Sequence, residues 1–274
     1  MNKLQKIFHN NYPIIGVVHL MPSPGFKGFE SISLTLNRAL EDAKSLENGG
    51  VDGIIIENNY DLPHKIYVNP ETITTMTYVA LKIKKKVKLP IGISVLWNDY
   101  KAALSIAKIS EAKFVRIPAF VDNVKTNYGN VMPVAKRSII YRKTIDSENI
   151  AIFADIQVKH AIMLDKNKSL VQSAFAAKKQ LADAIIVTGK WTGDAPTINN
   201  LRLLKKKAID IPIIVGSGAN KANVQKLMKY SDGIIVSTTF KFGNNKKSEI
   251  NVKDYEQRIS QQKVTDFINK IKKN

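Results

Sequence analysis

His19, Glu57, Arg116, Asp155, Gln157, Lys159 and Thr188 sit at or near the ends of strand-like runs, and their types are those that move protons or hold charge. A histidine, a lysine and two carboxylates are the groups of general acid–base chemistry, and an arginine beside them holds an anionic substrate. Lys159 and His19 are the acid/base candidates. Asp155 and Glu57 would orient or activate them, Arg116 would hold substrate charge, and Gln157, Asn58 and Thr188 would be further substrate contacts. Each has a plainer alternative, with His19 as a core residue and Arg116 with Glu57 as a structural ion pair. Burying such a pair is costly, which favours a functional reason for it. A Schiff base on Lys159 would need a depressed pKa, and nearby carboxylates are expected to push that pKa upward. Glu57 and Asp155 also offer oxygen ligands for Mg²⁺, although no His/carboxylate spacing demands a metal.

A second kind of chemistry is written in the last third of the chain. Ile211-Pro-Ile-Ile-Val-Gly-Ser-Gly-Ala-Asn220 and Asp232-Gly-Ile-Ile-Val-Ser-Thr-Thr-Phe-Lys241 are apolar runs that each end in small residues. Such runs are buried strands delivering side-chain-poor loops, on which backbone N–H groups close around an anion. Gly216, Ser217 and Gly218 face Ser237, Thr238 and Thr239 in this reading, with a helix beginning near Lys221 adding its dipole. A bulky residue at Gly218 is expected to abolish phosphate binding with the fold intact. Gly189-Lys-Trp-Thr-Gly193 forms a third loop that could donate backbone groups or act as a lid.

These residues need elements to position them. Eight strand-like runs, Ile14–Leu20, Gly53–Glu57, Ile91–Leu96, Phe114–Pro118, Ile150–Val158, Ala184–Thr188, Ile211–Val215 and Gly233–Ser237, alternate with helix-like stretches. Among the latter are Leu34–Leu46, Ile73–Ile83, a run to Ile109 capped by Asp99, Leu170–Leu181, Ile198–Ala208, Val224–Tyr230 and Val264–Ile271. Strands alternating with helices imply βαβ units and a parallel sheet, and eight repeats favour closure into a (β/α)8 TIM barrel. An open doubly wound sheet is the alternative, but His19-Leu-Met-Pro-Ser-Pro-Gly25 stands where a Gly-rich dinucleotide turn would be. Strand parity then turns Ile15, Val17, His19, Ile55, Glu57, Ser94, Phe114, Arg116, Phe153, Asp155, Gln157, Lys159, Ile186 and Thr188 toward the barrel axis. Their polar members fall at the C-terminal ends of strands, where barrels build their sites. Asp155 and Lys159, four residues apart, would lie roughly 13 Å apart along a continuous strand, one deep and one at the rim.

The whole chain bounds the rest. Its length suits one barrel domain over residues 1–274, and no Pro/Ser linker divides it. It has no cysteine, no apolar run near the ~20 residues of a membrane span and no signal-peptide pattern, which together suit a cytoplasmic protein. A net charge of +19 raises nucleic acid, membrane or anionic small molecules as partners. No helix-turn-helix, zinc-finger or RNP-type spacing is present, and the lysines gather on helix faces such as Lys82, Lys84–Lys86 and Lys205–Lys207. The excess is therefore expected to spread over several helices without a deep basic groove. A homo-oligomer is compatible with the sequence.

Ile15-Gly-Val-Val-His-Leu-Met-Pro-Ser-Pro-Gly25, Gly49-Gly-Val-Asp-Gly-Ile-Ile-Ile-Glu-Asn58, Ala154-Asp-Ile-Gln-Val-Lys-His-Ala161, Ile186-Val-Thr-Gly189 and Val215-Gly-Ser-Gly218 together resemble the BtpA family, which includes SgcQ-like proteins. The resemblance runs from the first strand to the last. It implies a TIM barrel of the ribulose-phosphate-binding type and a phosphorylated sugar or nucleotide-like ligand. The family takes its name from photosystem I biogenesis, which implies the alternative of an assembly factor using a basic surface to bind protein, RNA or membrane. Trp97 stands where the family pattern has Arg, and Ser237 where Gly is usual.

Overall fold

A computed structural model describes residues 3–207, 210–243 and 257–272. Eight strands form the barrel: β1 (Ile14–His19), β2 (Gly53–Glu57), β3 (Ile91–Ser94), β4 (Phe114–Ile117), β5 (Ala151–Ile156), β6 (Ala184–Val187), β7 (Ile213–Val215) and β8 (Gly233–Val236). They pair in parallel in chain order, and β8 pairs back onto β1 to close the ring. Around them run α1 (Lys3–Phe8), α2 (Ile32–Gly49), α3 (Pro70–Lys86), α4 (Tyr100–Ile109), α5 (Ala135–Thr144), α6 (Leu170–Lys179), α7 (Ile198–Lys206), α8 (Val224–Met228) and α9 (Gln261–Lys272). Ala208, expected to end α7, lies outside the described residues.

One strand parity fills the axis. Ile15, Val17, Ile55, Phe114, Phe153, Ile186, Ile214 and Ile235 form the interior cluster, with Leu4 and Phe8 of α1 closing its lower end. Phe114 and Phe153 stack with ring centroids 4.6 Å apart. Their fit depends on Gly92, where a Cβ would stand 2.2 Å from the Phe114 ring. The other parity packs under the helices. At the lower rim, Asp52, Asp183 and Asp232 accept hydrogen bonds from the N–H groups of Ile14, Ile152 and Ile213, pairing donors that the sheet leaves over.

Helix starts follow the sequence closely. Ser31, Asp99, Ser169 and Thr197 cap α2, α4, α6 and α7 through their side chains. Two features carry no such signal. Helix α5 buries only Ala135, Ser138 and Arg142, so it has no apolar stripe to read. A small antiparallel sheet of Val124–Thr126, Gly129–Val131 and Ile162–Met163 rises from the loops after β4 and β5 and packs on Trp97, Ala119 and Val158.

Basic side chains occupy the last turns of α3 through α9, including Lys84–Lys86, Lys108, Arg142, Lys178, Lys205, Lys226 and Lys270. Helices descend where strands ascend, so these charges ring the N-terminal end of the barrel and complement the helix dipoles. No helix among the described residues is long and apolar enough to cross a membrane.

Candidate functional site

Register assembles the polar layer before any loop is considered. His19 lies opposite Glu57, Glu57 opposite Ser94 and Ser94 opposite Arg116, at the C-terminal ends of four adjacent strands. Arg116 lies opposite Phe153, so Asp155 is the next inward residue above it. Arg116 donates from Nε to Asp155 Oδ2 at 2.8 Å and from Nη2 to Oδ1 at 2.9 Å. Its Nη1 is 3.7 Å from Glu57 Oε2, which also accepts a 2.9 Å hydrogen bond from Ser94 Oγ. The sequence allows Arg116 to pair with Glu57, but its close partner is Asp155. Burial works against the guanidinium charge, and Asp155 with Glu57 holds it firmly protonated. With both oxygens engaged by Arg116 and its side chain inaccessible, Asp155 is a fixed anchor, and the guanidinium beside it disfavours a Mg²⁺ at the same carboxylate. Among the described residues no group of three or more His, Asp or Glu has the makings of a metal site.

The fifth strand ends two residues earlier than the sequence suggests. Strand β5 stops at Ile156, and Gln157 takes φ +46°, turning its side chain away to donate to the Lys168 carbonyl. Its own N–H donates to Asp122. The chain then folds back, so Lys159 lies over the barrel within electrostatic reach of Arg116, Glu57 and Asp155 instead of a full strand length away. Thr188 supports that return, because its Oγ1 accepts the Lys159 N–H at 3.1 Å. Asn58 also serves the scaffold, donating to the Leu96 carbonyl and accepting the Leu96 N–H.

A cavity of about 270 Å³ opens above this layer. Val17 and Ile235 are among its lining residues, and so are His19, Glu57, Asn59, Arg116 and Lys159 on the strand-end side. Gly216–Asn220, Ser237–Thr239, Thr192 and Gly193 line it too, so the loops after β6, β7 and β8 all reach it. Among the described residues, the N–H groups of Gly218, Ala219, Thr238 and Thr239 have no acceptor, and the buried Ser237 Oγ has no hydrogen-bond partner. Ser217, by contrast, is spent on structure. It donates to the Asp194 carbonyl and accepts the Gly189 N–H.

Gly218 is structural as well as small. It holds φ +69°, and a Cβ there would lie 2.1 Å from the Ala195 nitrogen. Any side chain must displace the Asp194–Ala195 backbone, so a bulky substitution does not leave the fold intact. The helix expected near Lys221 starts at Val224 and has five residues, so the loop N–H groups, not a long helix dipole, would face an anion.

Two residues that parity does not reach complete the site. Lys241, buried after a 3₁₀ turn at Thr238–Phe240, places Nζ 3.0 Å from His19 Nδ1 and 3.2 Å from Tyr60 Oη. Burial first, then Lys241, Lys159 and Arg116, holds the His19 pKa well below the ordinary imidazole value. The 3.5 Å approach of His19 Nε2 to Glu57 Oε1 is therefore a contact of a neutral ring, not an ion pair. Trp97 is buried against the small sheet and supplies no anion contact.

Burial and Arg116 push the Lys159 ammonium down to about 8, against the opposing pull of Glu57 and Asp155. This reverses the expectation from the carboxylates alone. The folded pKa lies below the unfolded one, so the unfolded chain binds more protons between pH 8 and about 10.5, and in this window the Lys159 contribution makes stability rise with pH. Lys159→Met should be more stable than the natural chain at pH 7, by about 1–2 kcal/mol in urea denaturation. The difference should shrink by about pH 10; a destabilised variant at pH 7 would mean the ammonium is well accommodated.

The fold and the cavity define a (β/α)8 barrel with a polar, cation-rich site at its C-terminal face. The BtpA family model matches residues 10–273, and the chain belongs to the BtpA family. It is 35% identical to the photosystem I biogenesis protein BtpA of Synechocystis over 88% of this chain and 85% of that one. It is 39% identical to an uncharacterized protein of Archaeoglobus fulgidus over 84% of this chain and 92% of that one. Among solved structures, N-(5'-phosphoribosyl)anthranilate isomerase from Pyrococcus furiosus superposes with a TM-score of 0.56 at 13% identity, covering 96% of this chain and all of that one. At that identity the likeness speaks for the fold alone.

Proposed function

We propose that the protein binds a phosphorylated sugar or nucleotide-like metabolite in the cavity at the C-terminal face and acts on it by proton transfer at Lys159. The observation that carries this reading is the make-up of this cavity, whose lining combines loop N–H groups that have no acceptor among the described residues with proton-handling side chains. Preorganised backbone donors suit a phosphate, and barrels commonly hold one after strands seven and eight. Among the described residues three cations, Arg116, Lys159 and Lys241, stand against two carboxylates, Glu57 and Asp155, with His19 neutral, a balance that suits an anionic ligand. Lys159 as the free amine takes a proton from a carbon beside a carbonyl. Returning it to a neighbouring atom gives an isomerase, and losing a β-substituent gives a lyase. The lowered pKa also makes Lys159 a better nucleophile than its carboxylate neighbours alone would suggest.

The basic surface points to no single partner face. Thirteen of the 42 basic residues sit in the last turns of α3–α9, where the helix dipoles favour them, and others, such as Lys65 and Lys190 on loops and Lys125 on the small sheet, lie at the cavity end.

Thermal unfolding in the presence of sugar phosphates and nucleoside monophosphates, each paired with its unphosphorylated counterpart, tests the proposal. A true ligand at a hundred times its Kd stabilises by about 2.7 kcal/mol, and only the phosphorylated member should do so. Equal response to both members, or to neither across the panel, counts against it.

A further inference from the structure

We propose that Lys241 is a positioning residue that fixes His19 in its Nε2–H tautomer, so that His19 meets a ligand as a neutral hydrogen-bond donor. The proposal rests on the reading of the cavity as a ligand site and changes the role of His19 within it. Sequence chemistry pairs His19 with Lys159 as acid and base; the geometry divides the work between them.

Phe240 is buried against Phe267 at the end of the 3₁₀ turn, with ring centroids 5.3 Å apart. Lys241 itself bridges Ile259, and its carbonyl accepts a 2.7 Å hydrogen bond from Lys263 Nζ. The main chain is thereby pinned on both sides, and the side chain runs inward to His19. An ammonium has three donors and no acceptor, so at 3.0 Å from Nδ1 it requires that nitrogen to accept. The ring proton is then on Nε2, beside Glu57 at the edge of the cavity.

Among the described residues the cations around the ring favour this state. Lys241 approaches from the segment after β8, Lys159 from the loop after β5 and Arg116 from β4, all cationic, against Glu57 from β2. Tyr60 meets the ring edge-on at 6.1 Å and also accepts from Lys241. A neutral imidazole in such a setting cannot serve as a cationic acid, but its Nε2–H can polarise a carbonyl or hydroxyl oxygen while another group moves the proton. The ligand this arrangement fits carries, besides its phosphate, an oxygen acceptor next to the carbon that Lys159 deprotonates.

The test needs no ligand, so it stands or falls separately from the proposed function. The full chain is labelled with [15N]histidine, and two-bond 1H–15N correlations are recorded from pH 8 downward, with His19 assigned by its loss in His19→Gln. The expected spectrum shows one tautomer, with Nδ1 unprotonated and Nε2 protonated, and no titration through the ordinary midpoint of about 6.5. In Lys241→Met the two tautomers should mix and the titration should move upward. Lys241→Arg should restore the Nε2–H form, because a guanidinium is also donor-only, and Tyr60→Phe should keep it. A loss of packing alone would lower stability without that pattern. A natural chain with Nδ1 protonated overturns the proposal whether or not Lys241→Met folds, and so does a folded Lys241→Met with an unchanged His19 signal.

Discussion

Replacing Asp155 by Ala should lower the stability of the barrel by about 3–5 kcal/mol, the cost of stripping a buried cation of its partner. The Asp155 side chain is wholly inaccessible and spends both oxygens on Arg116. Without it the guanidinium keeps only Glu57, at 3.7 Å and not coaxial with its freed donors. The desolvation already incurred by Arg116 then goes uncompensated. Urea denaturation at pH 7 measures the loss, and a second variant apportions it. Arg116→Met combined with Asp155→Ala removes the orphaned charge and should recover most of the stability, whereas two independent sites would add. A single variant costing less than about 1 kcal/mol would show that water reaches the Arg116 head.

Ligand stabilisation should vanish in Ser237→Asp while the fold survives. Ser237 Oγ is buried beside the cavity and bonded to no group among the described residues, so a carboxylate there breaks no existing hydrogen bond. It would set a negative charge among the N–H groups that a phosphate needs, replacing attraction with like-charge repulsion. The natural chain's gain of about 2.7 kcal/mol at a hundred times Kd should fall to nothing measurable at the same concentration. Ser237→Ala, which removes one hydroxyl, should reduce the gain without abolishing it. Undiminished stabilisation of Ser237→Asp would move the phosphate to another part of the cavity.

Much of the barrel is legible in the chain because short β-branched runs alternate with amphipathic stretches, and because Asp99 and Gly216–Gly218 mark where elements begin and end. Parity located His19, Glu57, Arg116 and Asp155 correctly, since β1, β2, β4 and β5 are regular over those residues. It failed beyond Ile156. A left-handed Gln157 reversed the alternation, and no glycine announced the turn. Asn58 and Thr188 bear the right chemistry but spend it on backbone groups, a distinction that composition cannot make. Lys241 stayed hidden for a different reason. It lies past the last strand, where neither periodicity applies, and a lysine in a polar segment carries no mark of burial. Phe240 beside it was the available signal, an apolar anchor that pulls the neighbouring residue inward.

The most direct measurement is the backbone amide spectrum of the labelled protein as a phosphorylated sugar, ribose 5-phosphate in the first instance and then any hit from the thermal panel, is added. The account predicts saturable shifts concentrated at Gly218, Ala219, Thr238 and Thr239, with smaller changes near Lys159 and His19. Saturable shifts confined to the lysine-bearing helix ends at the opposite face, with these four amides unmoved, would contradict it.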